Sequence, residues 1–346
     1  MHAPDLPSWQ SNSLADLAAR IWAEHEAAEA AREAQQKAAQ KEPDPGRQDD
    51  RGNHLMRPMW RYPGGKRKLV RSIWDCVRRL HPNGIYCEPF AGGAAVALEY
   101  ARWCPGDRII LNDIDPGIAA IWNAVISHPD EFKAAIMAFV PSVEAYREIK
   151  MFLANGDSGK GGVETALAKI AIHQISYSGK GEASSGFSPL GGYSGKSGER
   201  IDAYWNRSAL CSKVDRLHNL LAGRTECHAA DFEQFLRRPD CLFYLDPPYY
   251  EAGEQLYLHS LQEADHRRLR AALQEMPANW VLSYDDHPVI RELYSWAQID
   301  EIENACSIAR HNGGPVQPRK TELLITSAKS VAKPRTEAGG LLSWCD

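Results

Sequence analysis

The residues best suited to chemistry stand together at Asp246-Pro247-Pro248-Tyr249, directly after the apolar run Leu242-Phe243-Tyr244-Leu245. The two prolines end that run and stiffen the loop behind it. A carboxylate acceptor and an aromatic ring are thereby presented side by side. The pair suits a planar base that carries an amino group. Asp246 and the Pro247 carbonyl can both accept hydrogen bonds from the amine, while Tyr249 stacks on the ring.

Three further segments have compositions that fit a nucleotide-like ligand. Glu88-Pro89-Phe90-Ala91-Gly92-Gly93-Ala94 follows a short apolar run and opens a helical pattern. Small residues at such a turn let backbone approach a ligand closely. Gly-rich turns are common, however, and the absence of G-x-G-x-x-G argues against a dinucleotide. Asp113 follows Gly93 by 20 residues, in Leu111-Asn112-Asp113-Ile114-Asp115. A carboxylate there can accept hydrogen bonds from both hydroxyls of a ribose. The other reading is that Asp113 or Asp115 caps the helix opening at Pro116. The third segment is Trp60-Arg61-Tyr62-Pro63-Gly64-Gly65-Lys66-Arg67-Lys68. It lacks the full phosphate-loop pattern, so an NTPase is excluded; a surface basic cluster is the plain alternative.

These segments need a scaffold, and the pattern supplies one. Ile85 to Phe90, Ile109 to Leu111 and Cys241 to Leu245 are short apolar runs bounded by turn residues, as buried strands should be. Helical patterns at Ala94 to Trp103 and Pro116 to Ser127 follow the first two. Strand-helix-strand at this spacing indicates a parallel α/β sheet, with ligands at the carboxyl ends of its strands. After Asp246 the rhythm resumes: helix from Asp265 to Glu275, strand from Trp280 to Tyr284, helix from Pro288 to Trp296. Two last strands are expected near Ile299 to Ala309 and Glu322 to Thr326, joined by a hairpin loop rich in Gly and Pro. Residues 128–225 are mainly helical in pattern, interrupted by the Gly/Ser-loaded stretch Ser176 to Glu199.

Composition narrows the class without deciding it. The chain has 346 residues, 44% hydrophobic and 25% charged, which suits a globular protein of up to two domains. No run approaches the roughly 20 apolar residues of a membrane helix, and no secretory signal is evident, so a cytoplasmic protein is expected. None of the eight cysteines forms a C-x-x-C pair, so neither a zinc site nor a disulfide framework is expected. The net charge of -5 is concentrated at the start: residues 1–55 carry ten acidic and six basic side chains, leaving about -1 for the rest. Patches of the remaining basic residues could still meet phosphates, which respond to local charge. The first 55 residues read as a helical or disordered extension, ending in the breaker cluster Glu42-Pro43-Asp44-Pro45-Gly46.

In this order the segments resemble the Dam-type family of DNA N(6)-adenine methyltransferases, over about Met59 to Lys329. The family's Y/W-x-G-G-K pattern matches Tyr62 to Lys66, its E-P-F-x-G-x-G pattern matches Glu88 to Ala94, and its D-P-P-Y matches Asp246 to Tyr249. The resemblance implies a Rossmann-like S-adenosylmethionine-dependent methyltransferase sheet with an inserted, mainly helical target-recognition domain. By the same resemblance the catalytic domain is 56–127 and 226–330, the insert is 128–225, and 331–346 is a tail. Trp60, Tyr62, Gly64, Gly65, Lys66, Glu88, Pro89, Phe90, Gly92, Gly93, Asp113 and Asp246 would bind the cofactor, with Lys66 near its methionine end. Asp231 would take the cofactor's adenine amine, and Phe232 would pack beside that ring.

The implied substrate is adenine in double-stranded DNA, flipped into the Asp246-Pro247-Pro248-Tyr249 corner, with no metal and no membrane involved and a monomer as the expected state. Tyr177, Lys180 and Lys196 in the Gly/Ser-rich stretch, and Arg319 in the late hairpin, are the DNA-contact candidates. A solvated loop is the alternative for the first three. The rival functions are methylation of cytosine's exocyclic amine and a noncatalytic DNA-binding relative. Asp rather than Ser before Pro-Pro-Tyr favours adenine, and the presence of Lys66, Asp113, Asp246 and Tyr249 argues against decay. Ala94 and Ala95 depart from the family, which often carries Gly and Ser there. The target sequence, and whether the enzyme serves restriction–modification, a host or a phage, are not written in these residues.

Overall fold

Short runs of β-branched and aromatic residues, buried on both sides, dictate strands at the centre of the molecule. The computed structural model describes residues 59–60, 65–66, 69–80, 84–155, 162–179, 181, 188–193, 200–250, 260–304 and 320–327. The expected N-terminal extension, the late hairpin loop and the C-terminal tail lie outside the described residues.

The strands are β1 (Ile85–Glu88), β2 (Arg108–Asn112), β3 (Thr225–His228), β4 (Leu242–Leu245), β5 (Trp280–Asp285), β6 (Gln298–Asn304) and β7 (Lys320–Thr326). They form one sheet in the order β3-β2-β1-β4-β5-β7-β6. Strands β1 to β5 run parallel, and β7 is antiparallel to both β5 and β6. The chain builds outward from β1 to β2 and β3, then returns to place β4 on the other side. That reversal leaves a crevice between the carboxyl ends of β1 and β4. The strand–helix rhythm's parallel α/β sheet is present, in the Rossmann-like arrangement that the resemblance implies.

Nine helices accompany the strands among the described residues: α1 (Val70–Arg79), α2 (Ala95–Trp103), α3 (Pro116–Ser127), α4 (Pro129–Ala138), α5 (Val143–Ala154), α6 (Gly162–Ile175), α7 (Arg207–Leu221), α8 (Glu263–Glu275) and α9 (Pro288–Leu293). Strand periodicity divides the core in two. Tyr86, Ile109, Leu111, Tyr244 and Val281 point to the face covered by α1, α2, α3 and α7. Cys87, Ile110, Phe243, Leu245 and Leu282 point to the face covered by α8 and α9. Helix α6 is buried nearly all round and packs against α3, α4 and α5, within the same apolar cluster as the first sheet face.

Two local differences from the sequence reading have simple causes. The first strand stops at Glu88 rather than Phe90, because Pro89 has no N–H to continue the ladder. Strand β3 escapes sequence reading: Thr-Glu-Cys-His is half-buried throughout and sits at the sheet edge, so no apolar run marks it.

Candidate active site

The crevice at the reversal point is walled by the loop after β1, the turn after β2 and the end of β4. Gly65, Lys66, Glu88, Phe90, Gly92, Gly93, Asp113, Tyr244, Asp246 and Pro248 all line it. Segments far apart in sequence thus meet at one sheet edge.

The loop after β1 is shaped by its small residues. Gly92 and Ala94 both take left-handed backbone, at φ 44° and 49°. Ala94 therefore occupies a conformation that favours glycine, which gives a physical meaning to the family's frequent glycine there. The loop is fastened beneath by Asn112, the fully buried last residue of β2. Its Nδ2 donates to the carbonyls of Pro89 and Ala230, at 2.9 Å each, and its Oδ1 accepts from the Ala230 N–H at 3.0 Å. The Asn112 carbonyl also accepts from the Ala91 N–H. One side chain thus joins the ends of β1, β2 and β3.

The two aspartates after β2 divide the roles left open by sequence. Asp115 is the cap of α3, accepting from the N–H groups of Gly117 and Ile118. Asp113 instead accepts from Gly92 N–H at 2.9 Å and from Asp115 N–H at 3.0 Å, and both aspartates line the crevice. Burial, reinforced by neighbouring Asp115, pushes the Asp113 carboxyl up to about 7. Glu88, at the foot of the crevice, accepts from the Tyr86 hydroxyl at 2.6 Å, and burial pushes its carboxyl up to about 8. Both acids are short of donors. They fit a ligand that brings hydroxyl and amino groups into the cleft.

At the opposite wall, Asp246 Oδ1 receives Lys66 Nζ at 2.6 Å and Ser283 Oγ at 2.9 Å. Burial raises the Asp246 carboxyl above its ordinary value, opposed by the Lys66 ammonium and the Ser283 hydroxyl. Ser283 also meets the Tyr244 hydroxyl at 3.0 Å. Lys66 Nζ lies 4.5 Å from the centre of the Tyr249 ring. Across the same corner the Tyr249 hydroxyl donates to the Glu322 carboxylate on β7. The acid and the ring are therefore held in fixed relation by β5, β7 and Lys66 together.

The remaining expected residues fall in several places. Pro89 and Pro247 shape their loops. Phe232 is buried beside Phe90, with ring centres 5.2 Å apart. Arg268 from α8 covers the Phe232 ring at 4.7 Å and pairs with Asp231 at 2.6 Å. Trp60 stands behind the crevice, its ring 5.6 Å from that of Trp122, whose Nε1 donates to the Gly92 carbonyl. Tyr177 is exposed on the short 3-10 turn after α6. Tyr62, Gly64, Lys180, Lys196 and Arg319 lie outside the described residues.

Sequence reading gave no role to Asn112, Ser283, Glu322 or Arg268. The single available signal was position: Asn112 ends an apolar strand, and Ser283 interrupts another. Among the described residues no helix is long and apolar enough to cross a membrane, and no cluster of three metal-binding side chains occurs.

A family model described as D12 class N6 adenine-specific DNA methyltransferase matches residues 62–308. No curated protein matches the chain.

Proposed function

The chain belongs to the D12 class of N6 adenine-specific DNA methyltransferases, and from that premise we propose how its crevice works. The methyl donor is S-adenosylmethionine, and the acceptor is the exocyclic N6 of an adenine flipped out of double-stranded DNA. The observation that carries this reading is the corner in which Asp246 lines the crevice shared with Asp113 and the Gly92-Gly93 loop, while Lys66 joins that acid to the neighbouring Tyr249 ring.

Asp113 would accept the ribose hydroxyls, the Gly92-Gly93 turn would admit the nucleoside by close backbone approach, and Asp231 with Phe232 would take its adenine. The bound donor supplies a methyl group on a positively charged sulfur. Everything else is positioning and electrostatics from this chain. Asp246 and the Pro247 carbonyl accept hydrogen bonds from the target amine, turning its lone pair toward the crevice. Tyr249 stacks on the purine, its hydroxyl fixed by Glu322. On accepting the methyl group the amine would shed a proton, and Asp246 is the base placed to take it. Before the base arrives, Lys66 compensates the Asp246 charge and covers the Tyr249 face. Unstacking the base costs a few kcal/mol, which the new contacts must offset. The 128–225 segment, with exposed Tyr177, would meet the duplex.

Incubation with S-adenosylmethionine and mixed-sequence DNA, followed by mapping of modified bases, tests the activity and reveals its site. Asp246→Ala is expected to abolish methylation by at least a hundredfold while cofactor affinity changes little. Substantial turnover by that variant would remove Asp246 from its role.

A further inference from the structure

A buried lysine outside the crevice is tied to it through a short chain of contacts. Lys169 lies in the middle of α6, in the otherwise apolar run Leu167-Ala168-Lys169-Ile170-Ala171-Ile172. Its side chain is 4% exposed, and Nζ meets Asp115 Oδ2 at 2.6 Å. The aliphatic stem lies so close to Gly117 that an added Cβ there would stand 2.7 Å from Lys169 Cδ. The other Asp115 oxygen caps α3, and the Asp115 N–H donates to Asp113 Oδ1. Asp113 Oδ2 then holds the Gly92 N–H of the crevice loop. A charged side chain is seldom buried at a helix centre without a specific partner.

We propose that Lys169 is a positioning residue for the cofactor: from α6 it fixes the Asp115 turn and, through it, the Asp113 carboxylate where the ribose would be met. The proposal rests on the reading of Asp113 as the ribose acceptor. Its consequence is that cofactor affinity depends on the 128–225 segment as well as on the sheet. One turn further along α6, His173 Nδ1 meets the Gly179 carbonyl, and Gly181 packs against the imidazole. The same helix thus also anchors the root of the Gly/Ser-rich stretch expected to face DNA.

Electrostatics supports the geometry. The charged and titratable groups around Asp113 are Asp115 in its own turn, Lys169 from α6 and Cys227 on β3, with His173 behind Lys169. Lys169 is the cation in that group, and it counters the repulsion that Asp115 exerts on Asp113. His173 is held neutral by burial, its value lowered to about 4.

The test is equilibrium binding of sinefungin, a nonreactive analogue of the donor, by calorimetry between pH 6 and 9. Wild type, Lys169→Met, the double variant Lys169→Met with Asp115→Asn, and Asp113→Asn are compared. Circular dichroism establishes that each is folded. Lys169→Met is expected to bind about tenfold more weakly at pH 7, with the pH midpoint of binding moved upward by about one unit. The double variant removes the uncompensated charge while keeping an acceptor at the cap, so it should recover most of the affinity even if Lys169→Met alone proves too unstable to study. Packing alone would not move the pH midpoint or respond to this rescue. If Asp113→Asn is impaired while folded Lys169→Met binds as wild type with its pH midpoint unmoved, or the double variant fails to recover affinity, the proposal falls and the ribose reading stands. If Asp113→Asn also binds as wild type, both fall.

Discussion

Asn112 offers the sharpest test of how the crevice is built, because isosteric replacement changes its hydrogen bonding and little else. In the native state its fully buried amide makes three side-chain bonds, to Pro89 and to the half-buried Ala230. Asn112→Ala deletes all three and strands the Ala230 N–H. At roughly 1 kcal/mol net per bond, plus about 1 kcal/mol, the low end for a stranded donor because Ala230 is only half-buried, the loss should be about 4 kcal/mol. Asn112→Asp keeps the acceptor for Ala230 N–H but turns an oxygen toward two carbonyl oxygens. At neutral pH the charge must be buried against them or the group must hold its proton. The cost should then equal or exceed that of alanine and depend on pH. Because burial raises the new carboxyl in the folded state, the folded protein binds the proton more tightly than the unfolded chain. The aspartate variant should lose stability progressively as pH rises above about 4, its unfolded value. Urea unfolding at pH 5 and pH 8 measures this, with the midpoint of the alanine variant expected to fall by more than about 1 M. An aspartate variant as stable as wild type at pH 8 would refute the stapling role.

Three further outcomes follow from the crevice. Since the Asp113 carboxyl is pushed up to about 7 and its ionised form is the better acceptor, sinefungin affinity should fall as pH drops through 7, approaching tenfold per unit. The sign for the empty protein is opposite: the folded state holds this proton more tightly than the unfolded chain, so the Asp113 contribution to stability declines from about 4 to about 7, which melting curves with and without sinefungin can separate. Ser283→Ala removes a bond to a charged partner and should lower turnover about tenfold while leaving the sinefungin dissociation constant unchanged; a matching loss of affinity would contradict the separation of roles. Ala94→Gly relieves about 1–2 kcal/mol of left-handed strain but gives up a buried methyl and adds unfolded-state entropy, so its melting free energy should stay within about 1 kcal/mol of wild type.

The sheet was largely legible because its signal is local. Strands β1, β2, β4 and β5 are apolar runs closed by turn residues, and each alternates between two buried faces. Prolines at 247 and 248 and glycines at 92 and 93 mark where the chain must turn. The pairing of Asp246 with Tyr249 was legible for the same reason, since acid and ring are nearly adjacent in sequence. What sequence could not supply was pairing across distance. Tyr249 depends on Glu322 and Asp246 on Ser283, and beyond Ser283's interruption of an apolar strand neither partner's neighbourhood names the residue it serves. Strand β3 lacked an apolar run because an edge strand need not be buried, and the turn at Asp113 to Asp115 offered two candidates of identical chemistry.

Those two aspartates show why a single residue type can serve opposite purposes within one turn. Asp115 meets a full ammonium and two backbone donors, so its charge is satisfied in the folded state. Asp113 meets backbone N–H groups and sits close to that second acid, so its charge is costly until another donor arrives. Capping demands the first condition and ligand capture the second. The difference comes from where α6 delivers Lys169, not from the local sequence of the turn. Lys66 makes the same point at the other wall. By placing its ammonium on Asp246 and over the Tyr249 ring, it offers in the empty site what an aminopurine would offer when bound: a donor to the acid and a partner for the ring. The crevice thus holds one acid already compensated, Asp246, and two still short of donors, Asp113 and Glu88; on the proposed reading donors must be brought to Asp113, whereas at Asp246 an internal cation must be displaced.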